Sequence, residues 1–447
     1  MRFLGIGETC DLGDLYLSLK AEGHEVKIAA SDPDAQGTLA GLVEKSADWR
    51  ADLAWIRAAP DRGIILFESV SEGFGALQDD LRKDGFHVVG GSVYGDRLEN
   101  DRAYAQEVLA DLGFPSGHVW NFARTADALA FIVARPDRYV LKYSGPGHTS
   151  HDTYVGRSPD GRDVVAILKT NLQAPDFEER DFILMEVIEG VEMGVGAYFN
   201  GDRFLTPACL DWEHKRFFPG DLGELTGEMG TVVTYDRTDR FFRLTLARME
   251  GRLRENGYVG YINLNTIVNE AGVWPLEFSC RFGYPGFAIL APMQQTPWGD
   301  LFEVMAARSQ TTFRTEPGFC VGIVLTTPPF PYTRKQVAEP VGLPVLFDGP
   351  IDPRHHHYGE VGLDADGQLV TSGLYGWTMV VTGAGETIAE AQRQACDRAD
   401  RVLIPNVRYR RDIGDRLIGG DYRRLEQLGL LDPAPAPSPT LKPGCAP

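Results

Sequence analysis

Apolar runs of five or six residues alternate with amphipathic stretches over the first hundred residues. The segments Arg2–Gly5, Glu25–Ala30 and "GIILFE" (Gly63–Glu68) read as buried strands. Helical spacing covers Leu12–Ala21 and Phe74–Asp84, and "FHVVGGS" (Phe86–Ser92) adds a strand and a glycine turn. Strand and helix in alternation predict a parallel, Rossmann-like α/β sheet. The stretch Glu99–Gly117 is a helix that Asn100 or Asp101 can cap and that ends at Leu112-Gly113, before Pro115. "RYVLKYSGPGHTSHDTYVG" reads as strand, glycine loop, strand. "DFILMEVIEGVEMGVGAYFNGDRFL" reads as two strands about a charged corner, then a hairpin at Asn200-Gly201. A long helix is expected over Asp239–Asn256, then strands "YVGYINLNTIV" and "GVWPLEFSC" joined through "NEAG". After Gln310 the pattern is β-rich, with a helix over Thr387–Leu403 and Pro-rich loops "TTPPFPYT" and "EPVGLP".

Composition narrows the class. A chain of 447 residues has room for about three domains, and 43% hydrophobic residues permit a sizeable core. The net charge of −19 argues against a broad nucleic-acid footprint. No apolar run approaches the ~18–20 residues that span a bilayer, and the N-terminus is too acidic for a signal peptide. The six cysteines are scattered without a CxxC pair, which fits a reducing cytoplasm. The tail "DPAPAPSPTLKPGCAP" is Pro-rich and expected to be disordered. "GIGETCDLG" invites a dinucleotide reading with Asp32 on a ribose. The third glycine of that fingerprint falls on Cys10, so a tight turn is the better reading.

The candidate chemistry lies in the middle third. In "PLEFSCRFGYPG" an apolar strand ends in Glu277 and then presents Arg281 beside glycines. A charge at such a strand end needs a partner. A divalent metal on Glu277 and a phosphoryl group at Arg281 would supply one. Lys142 ends the strand "YVLK" before a small-residue loop containing Gly145 and Gly147. An amine with closely approaching backbone N–H groups suits a polyphosphate. The corner "LMEVIEGVE" offers Glu186 and Val187 for an adenine and Glu192 for ribose hydroxyls. "DWEHKRFFPGDLGELTGEMGTV" strings His214, Lys215 and Arg216 before a glycine-rich run, with Asp221 able to hold an ammonium group or orient a metal-bound water. Three adjacent histidines, His355 to His357, alternate faces in a strand and do not converge on one ion. A hydrogen-bonded wall suits them better.

In this order and spacing these elements resemble the phosphoribosylamine–glycine ligase family of ATP-grasp enzymes. "DWEHKRFFPGDLGELTGEMG" is similar to the family's DHKR…GDxGPNTGGMG, and "PLEFSCRFGYPG" to its LEFNxRFGDPE. "LVTSGLYGWTMVVTGAGETIAEA" with "VRYRRDIGDR" is similar to the family's ending. The resemblance covers nearly all of residues 1–420. It implies a multidomain α/β and α+β chain: a Rossmann-like N-terminal domain to residue 100 and an ATP-grasp core over 101–312 with a lid over about 119–186. A small β-rich C-terminal domain over 313–430 and a tail over 431–447 complete it. It also implies ATP and Mg²⁺ (or Mn²⁺), an ADP-forming carboxylate–amine ligation through an acyl phosphate, and small-molecule acid and amine substrates, with glycine a candidate acid. The chain would act as a monomer or homodimer. Arg281, Lys142 and Asp221 would be catalytic. Lys142, Gly145, Gly147, Glu186, Val187, Glu192, Lys215 and Arg102 would hold the nucleotide, and Glu277 and Ser279 the metal, with Asn265 the next candidate.

The departures concern the acceptor. The family's GGREHA phosphate loop corresponds to "GETCDLGD", where Glu8, Asp11 and Asp14 crowd one turn. Its Lys before the lid is Arg102, its metal-binding Asn is Ser279, and the Asp and Glu of GDPE are Tyr284 and Gly286. An altered acceptor is therefore expected, one without a phosphate at that turn. The family's own reaction and a non-catalytic nucleotide-binding relative are the alternatives.

Overall fold

The computed structural model describes residues 1–143, 153–172, 181–337 and 341–434. Gly145 and Gly147, and most of the Pro-rich tail, lie outside the described residues.

The N-terminal part runs β1 (Arg2–Gly7), α1 (Gly13–Ala21), β2 (Glu25–Ala30), β3 (Glu44–Lys45), α2 (Trp49–Arg57), β4 (Gly63–Phe67), α3 (Phe74–Lys83), β5 (His87–Val89) and α4 (Val93–Asn100). Its five strands form a parallel sheet in the order β3-β2-β1-β4-β5, as the alternation predicted. The first two glycines of "GIGETC" serve packing. A Cβ on Gly5 would meet the Tyr16 hydroxyl and one on Gly7 the Glu68 carboxylate. Both neighbours are buried and bonded to each other, Tyr16 Oη donating to Glu68 Oε1 at 2.5 Å. Burial pushes the Glu68 carboxyl up to about 7.

Asp101 caps α5 (Arg102–Asp111), accepting from the Tyr104 N–H at 3.0 Å. Helix α4 directly precedes it, where the sequence pattern suggested no helix. A small four-stranded sheet follows, built from β6 (Val119–Phe122), β7 (Tyr139–Tyr143), β8 (Thr153–Val155) and β9 (Phe182–Glu186) in the order β6-β9-β7-β8. Helices α6 (Thr125–Ala134) and α7 (Arg162–Leu172) accompany it, their buried faces sharing one apolar cluster with its strands.

The core continues through β10 (Val191–Phe199), β11 (Cys209–Glu213), the hairpin β12 (Arg216–Phe218) and β13 (Leu222–Leu225), and β14 (Gly230–Thr234). The helix expected over Asp239–Asn256 is broken into α8 (Asp239–Leu244), a 3₁₀ turn over Leu246–Met249 and α9 (Glu250–Glu255). Thr245 leaves helical geometry at φ −123°, ψ −100°, and its buried hydroxyl donates to the Phe241 carbonyl. Such back-bonding competes with the helix ladder. Then come β15 (Gly260–Asn269), β16 (Gly272–Ser279), α10 (Gly286–Leu290) and α11 (Trp298–Ala307).

The remaining elements are β17 (Phe319–Thr326), β18 (Leu346–Phe347), β19 (His356–Tyr358), β20 (Val361–Leu363), β21 (Leu369–Thr371), β22 (Trp377–Gly385), α12 (Ile388–Ala399), β23 (Val402–Leu403) and α13 (Tyr422–Gln427). The helix expected to reach Leu403 stops at Ala399, because Val402 and Leu403 pair with β18. An eight-stranded sheet runs β16-β15-β10-β11-β14-β17-β22-β19 without a break at residue 312, so the C-terminal strands extend the core sheet. One face of this sheet is apolar: Met193, Val195, Leu210, Val232, Ile262, Leu264 and Phe278 are all buried in the largest core cluster. The other face is where polar side chains collect. His357 contacts Asp14 at 2.9 Å, and His355 and His357 both contact the Thr382 hydroxyl, at 3.0 and 3.1 Å.

Candidate active site

Strand alternation places the chemistry. On β10, Glu192 and Gly194 share a face. Gly194 pairs with Asp211 of β11 on one side and Asn265 of β15 on the other. Asn265 pairs with Glu277 of β16, Asn263 with Ser279, and Glu213 with Thr231 of β14. Since side chains repeat every second residue, Glu192, Asp211, Glu213, Asn263, Asn265, Glu277, Ser279 and Thr231 emerge on the polar face. A Cβ on Gly194 would sit 2.2 Å from the Asp211 carboxylate, so the glycine makes room for the acid.

Two cavities lie against this face and share Glu213, Lys215 and Glu277 as a common wall. The larger, about 590 Å³, is lined by Arg102, Arg138, Lys142, Glu192, Asn265, Arg216 and Arg416, among others. The smaller, about 450 Å³, lies between the N-terminal turn and the core sheet.

In the common wall the Glu277 carboxylate accepts from Lys215 Nζ at 3.3 Å and from Arg102 Nη2 at 3.0 Å. Lys215 also meets Glu213 at 3.1 Å. Lys215 above all, then Arg102 and Lys142, holds the Glu277 carboxyl down to about 2. Lys142 lines the larger cleft with no hydrogen-bond or ion-pair partner among the described residues. Burial, then the nearby Arg102, lowers its ammonium to about 8. An anion in the cleft would relieve both effects.

The remaining sequence-derived residues divide. Glu192 faces the larger cleft and accepts from Asn265 Nδ2 at 2.9 Å, with burial raising its carboxyl. Glu186 and Val187 are not among the lining residues, and the Glu186 carboxylate is turned to His118 at 3.0 Å. Of that corner, Val191 and Glu192 line the cleft among the described residues. Asp221, expected to act chemically, accepts from both Nη atoms of Arg410 at 3.1 Å. Arg410 is 1% exposed, and so large a buried cation needs its counter-charge. The geometry makes Asp221 an anchor of the β12–β13 hairpin at the cleft's edge. Ser279 lines the smaller cavity, whereas Asn265 shares the larger cleft with Glu277. Glu277 lines both, so each of the two stands beside it. Among the described residues no group of three His, Cys, Asp or Glu converges on an ion.

Arg281 lines the smaller cavity, where Glu99 of α4 accepts from its Nε at 3.0 Å and from the Cys280 N–H at 2.7 Å. Glu8 and Asp11 line that cavity too, but Asp14 is held by His357 and does not. Tyr284, Tyr375 and Trp377 supply aromatic walls. The turn carrying the last two is fixed by buried Glu360, which accepts from the consecutive N–H groups of Leu374, Tyr375, Gly376 and Trp377. Sequence reasoning missed Glu99, Asp211, Glu213 and Glu228. The alternation C-L-D-W-E on β11 was a usable signal, and so was one carboxylate inside the glycine run "TGEMG".

A two-cavity sheet with a carboxylate–lysine wall, a small four-stranded sheet carrying a cleft-facing lysine and a parallel N-terminal domain together define an ATP-grasp architecture. The comparisons agree. Residues 100–287 match the phosphoribosylglycinamide synthetase ATP-grasp (A) domain. The phosphoribosylamine–glycine ligase of Yersinia pestis is 27% identical, covering 91% of this chain and 92% of its own length. Two solved structures share the fold. The phosphoribosylamine–glycine ligase of Thermotoga maritima aligns at a TM-score of 0.69 and 20% identity, over 92% of this chain and 100% of its own. The biotin carboxylase domain of the Hydrogenobacter thermophilus 2-oxoglutarate carboxylase, solved with MgADP, aligns at 0.60 and 13% identity, over 97% and 99%. Residues 100–287 thus carry a phosphoribosylglycinamide synthetase-type ATP-grasp domain, and the chain is similar to phosphoribosylamine–glycine ligases over most of its length.

Proposed function

We propose that this chain is an ADP-forming carboxylate–amine ligase with an acceptor different from that of its named relatives, acting on small molecules in the cytoplasm as a monomer or homodimer. The observation that carries the reading is the common wall, Glu277–Lys215–Glu213, set between a basic cleft and a second cavity. ATP occupies the basic cleft, with Lys142, Arg102 and Lys215 against the polyphosphate and Glu192 toward the ribose. Mg²⁺ (or Mn²⁺), held by Glu277 with Asn265, would neutralise charge on the phosphates. An acid in the smaller cavity presents its carboxylate near Arg281.

A carboxylate does not condense with an amine near neutral pH, because it forms a salt. Its oxygen therefore bonds to the γ-phosphorus while the bond to the bridging oxygen breaks and ADP leaves. The amine nitrogen then attacks the acyl carbon, phosphate departs, and the nitrogen gives up a proton to it. Little covalent chemistry falls to the protein, which positions groups and offsets charge. The test is ADP release measured with panels of acids and amines. Saturable release that needs both an acid and an amine supports the reading. ATP binding with no release for any pair would leave a nucleotide-binding relative instead.

A second reading, ligation of glycine to phosphoribosylamine, draws on the names of the relatives matched over nine-tenths of the chain. Glu8 and Asp11 oppose it, since they line the cavity where that phosphate would approach. Efficient, saturable turnover of phosphoribosylamine with glycine would establish it.

A further inference from the structure

The smaller cavity is acidic beyond what its own cations balance. Its lining carboxylates include Asp11, Asp211, Glu213 and Glu228, and its cations are Lys215 and Arg281. Both cations are already taken, Lys215 by Glu213 and Glu277, Arg281 by Glu99. Glu228 is 5% exposed, and its Oε1 is buried with no hydrogen-bond partner among the described residues. On the same wall Thr231, 2% exposed, has a buried hydroxyl that is equally without a partner among the described residues. Buried polar atoms are ordinarily satisfied, and a buried carboxylate oxygen left alone is costly. The sequence gives no local reason for such a group. Glu228 stands in "TGEMG", where the similar family segment reads TGGMG.

The occupant is constrained by what surrounds these atoms. Burial raises the Asp211 carboxyl to about 8 and the Glu228 carboxyl above its ordinary range, and a cation beside them would relieve both. Aromatic rings close the cavity, with Tyr284 and Trp377 centroids 5.0 Å apart. Dispersed carboxylates, a hydroxyl acceptor and aromatic faces suit an organic cation.

We infer that the smaller cavity binds an amine carrying an alkylammonium or guanidinium group besides the nitrogen that reacts, held by Glu228, Asp211 and Thr231. The inference rests on the ligase reading above for its substrate role, and on the cavity alone for binding. It names the acceptor's class: cationic at the end where the family segment would leave space, and without a phosphate.

The experiment is calorimetric titration of the full chain with agmatine, 1-butylamine, ribose 5-phosphate and MgCl₂ as separate probes, followed by the ADP assay. Agmatine should saturate and bind at least tenfold tighter than 1-butylamine. Glu228→Gln should weaken agmatine at least tenfold and leave ATP binding unchanged, which also certifies its fold. Thr231→Val, which keeps the volume, should weaken agmatine by a smaller factor. Ribose 5-phosphate binding tighter than agmatine would overturn the inference. So would agmatine binding unaffected by Glu228→Gln, or Mg²⁺ alone binding in a Glu228-dependent way. ADP release that saturates only with uncharged or phosphorylated amines refutes the cationic acceptor and leaves the ligase reading intact. Glu228-dependent agmatine binding without ADP release from any acid and amine refutes the ligase and leaves the cation site.

Discussion

The two cavities face the same sheet and share three residues, yet their electrostatics are opposite. The larger gathers Arg102, Lys142, Arg138, Arg216 and Arg416, and its lysine stands without a partner among the described residues. The smaller gathers carboxyl groups, and the Oε1 of Glu228 has no partner among the described residues. A protein that leaves an ammonium short of a partner on one side of a wall and a buried carboxyl group on the other is built for two different ligands. Glu277 and Lys215 sit between them and can meet a group that passes from one to the other. The mismatch is also selective: a polyphosphate is repelled from the smaller cavity and a cationic amine from the larger.

The sharpest way to break this comparison is to remove the wall. Glu277→Gln and Arg281→Ala should each lower the rate of ADP formation by ~10²–10³ with the fold retained. Normal turnover and unchanged Mg²⁺ dependence in Glu277→Gln would place the metal elsewhere.

The next effect concerns Lys142. Its ammonium titrates at about 8 in the empty cleft, so the charge that meets ATP is present below that pH and lost above it. Apparent ATP affinity of the free protein should therefore fall as pH rises from about 7 to about 10. Lys142→Arg should flatten that fall, since a guanidinium stays charged. A wild-type affinity that is flat across the range would remove Lys142 from the polyphosphate.

Glu192→Ala should raise the ATP concentration needed for half-maximal rate by about tenfold, the scale of a hydrogen bond to a charged group. Its maximal rate should change little if the contact is equal in ground and transition states. Unchanged ATP dependence would discard the ribose contact.

The smallest effect on chemistry comes from Glu360→Ala, which removes the acceptor for the Leu374–Trp377 turn. It should cost about 1–3 kcal/mol of stability by denaturant unfolding. Glu360 and Glu68 are both raised by burial to about 7. Between the unfolded value, about 4.5, and about 7 the native state holds protons that the unfolded chain has lost. Their contribution is thus full at low pH and declines as pH rises through about 7. Wild-type stability should drop across that window, and Glu68→Gln should shrink the drop.

Much of the fold was legible because short-range pattern encodes it. Continuous apolar runs marked β1, β2 and β4 within two residues, the Asp101 cap marked α5, and "NEAG" marked the β15–β16 turn. Of the wall residues, Glu277 and Lys215 were also legible through their motif resemblance, as was Arg102 beside them, whereas Glu213 was not. What failed locally failed for tertiary reasons. Thr245 breaks a helix whose pattern continues, and Val402 leaves helical spacing to pair with Leu346–Phe347.

By itself the sequence determined the elements, the parallel N-terminal sheet and the chemical character of the middle third, because period and burial are written in neighbouring residues. The smaller cavity was decided only in three dimensions. It joins the turn after β1, the polar faces of β11, β14 and β16, and the Glu360-held turn before β22, segments more than 350 residues apart at the extremes. Sheet order and register alone bring Glu213 opposite Thr231 and Asn265 opposite Glu277. No local signal carries that pairing, since it follows from which strands become neighbours once the apolar face is buried.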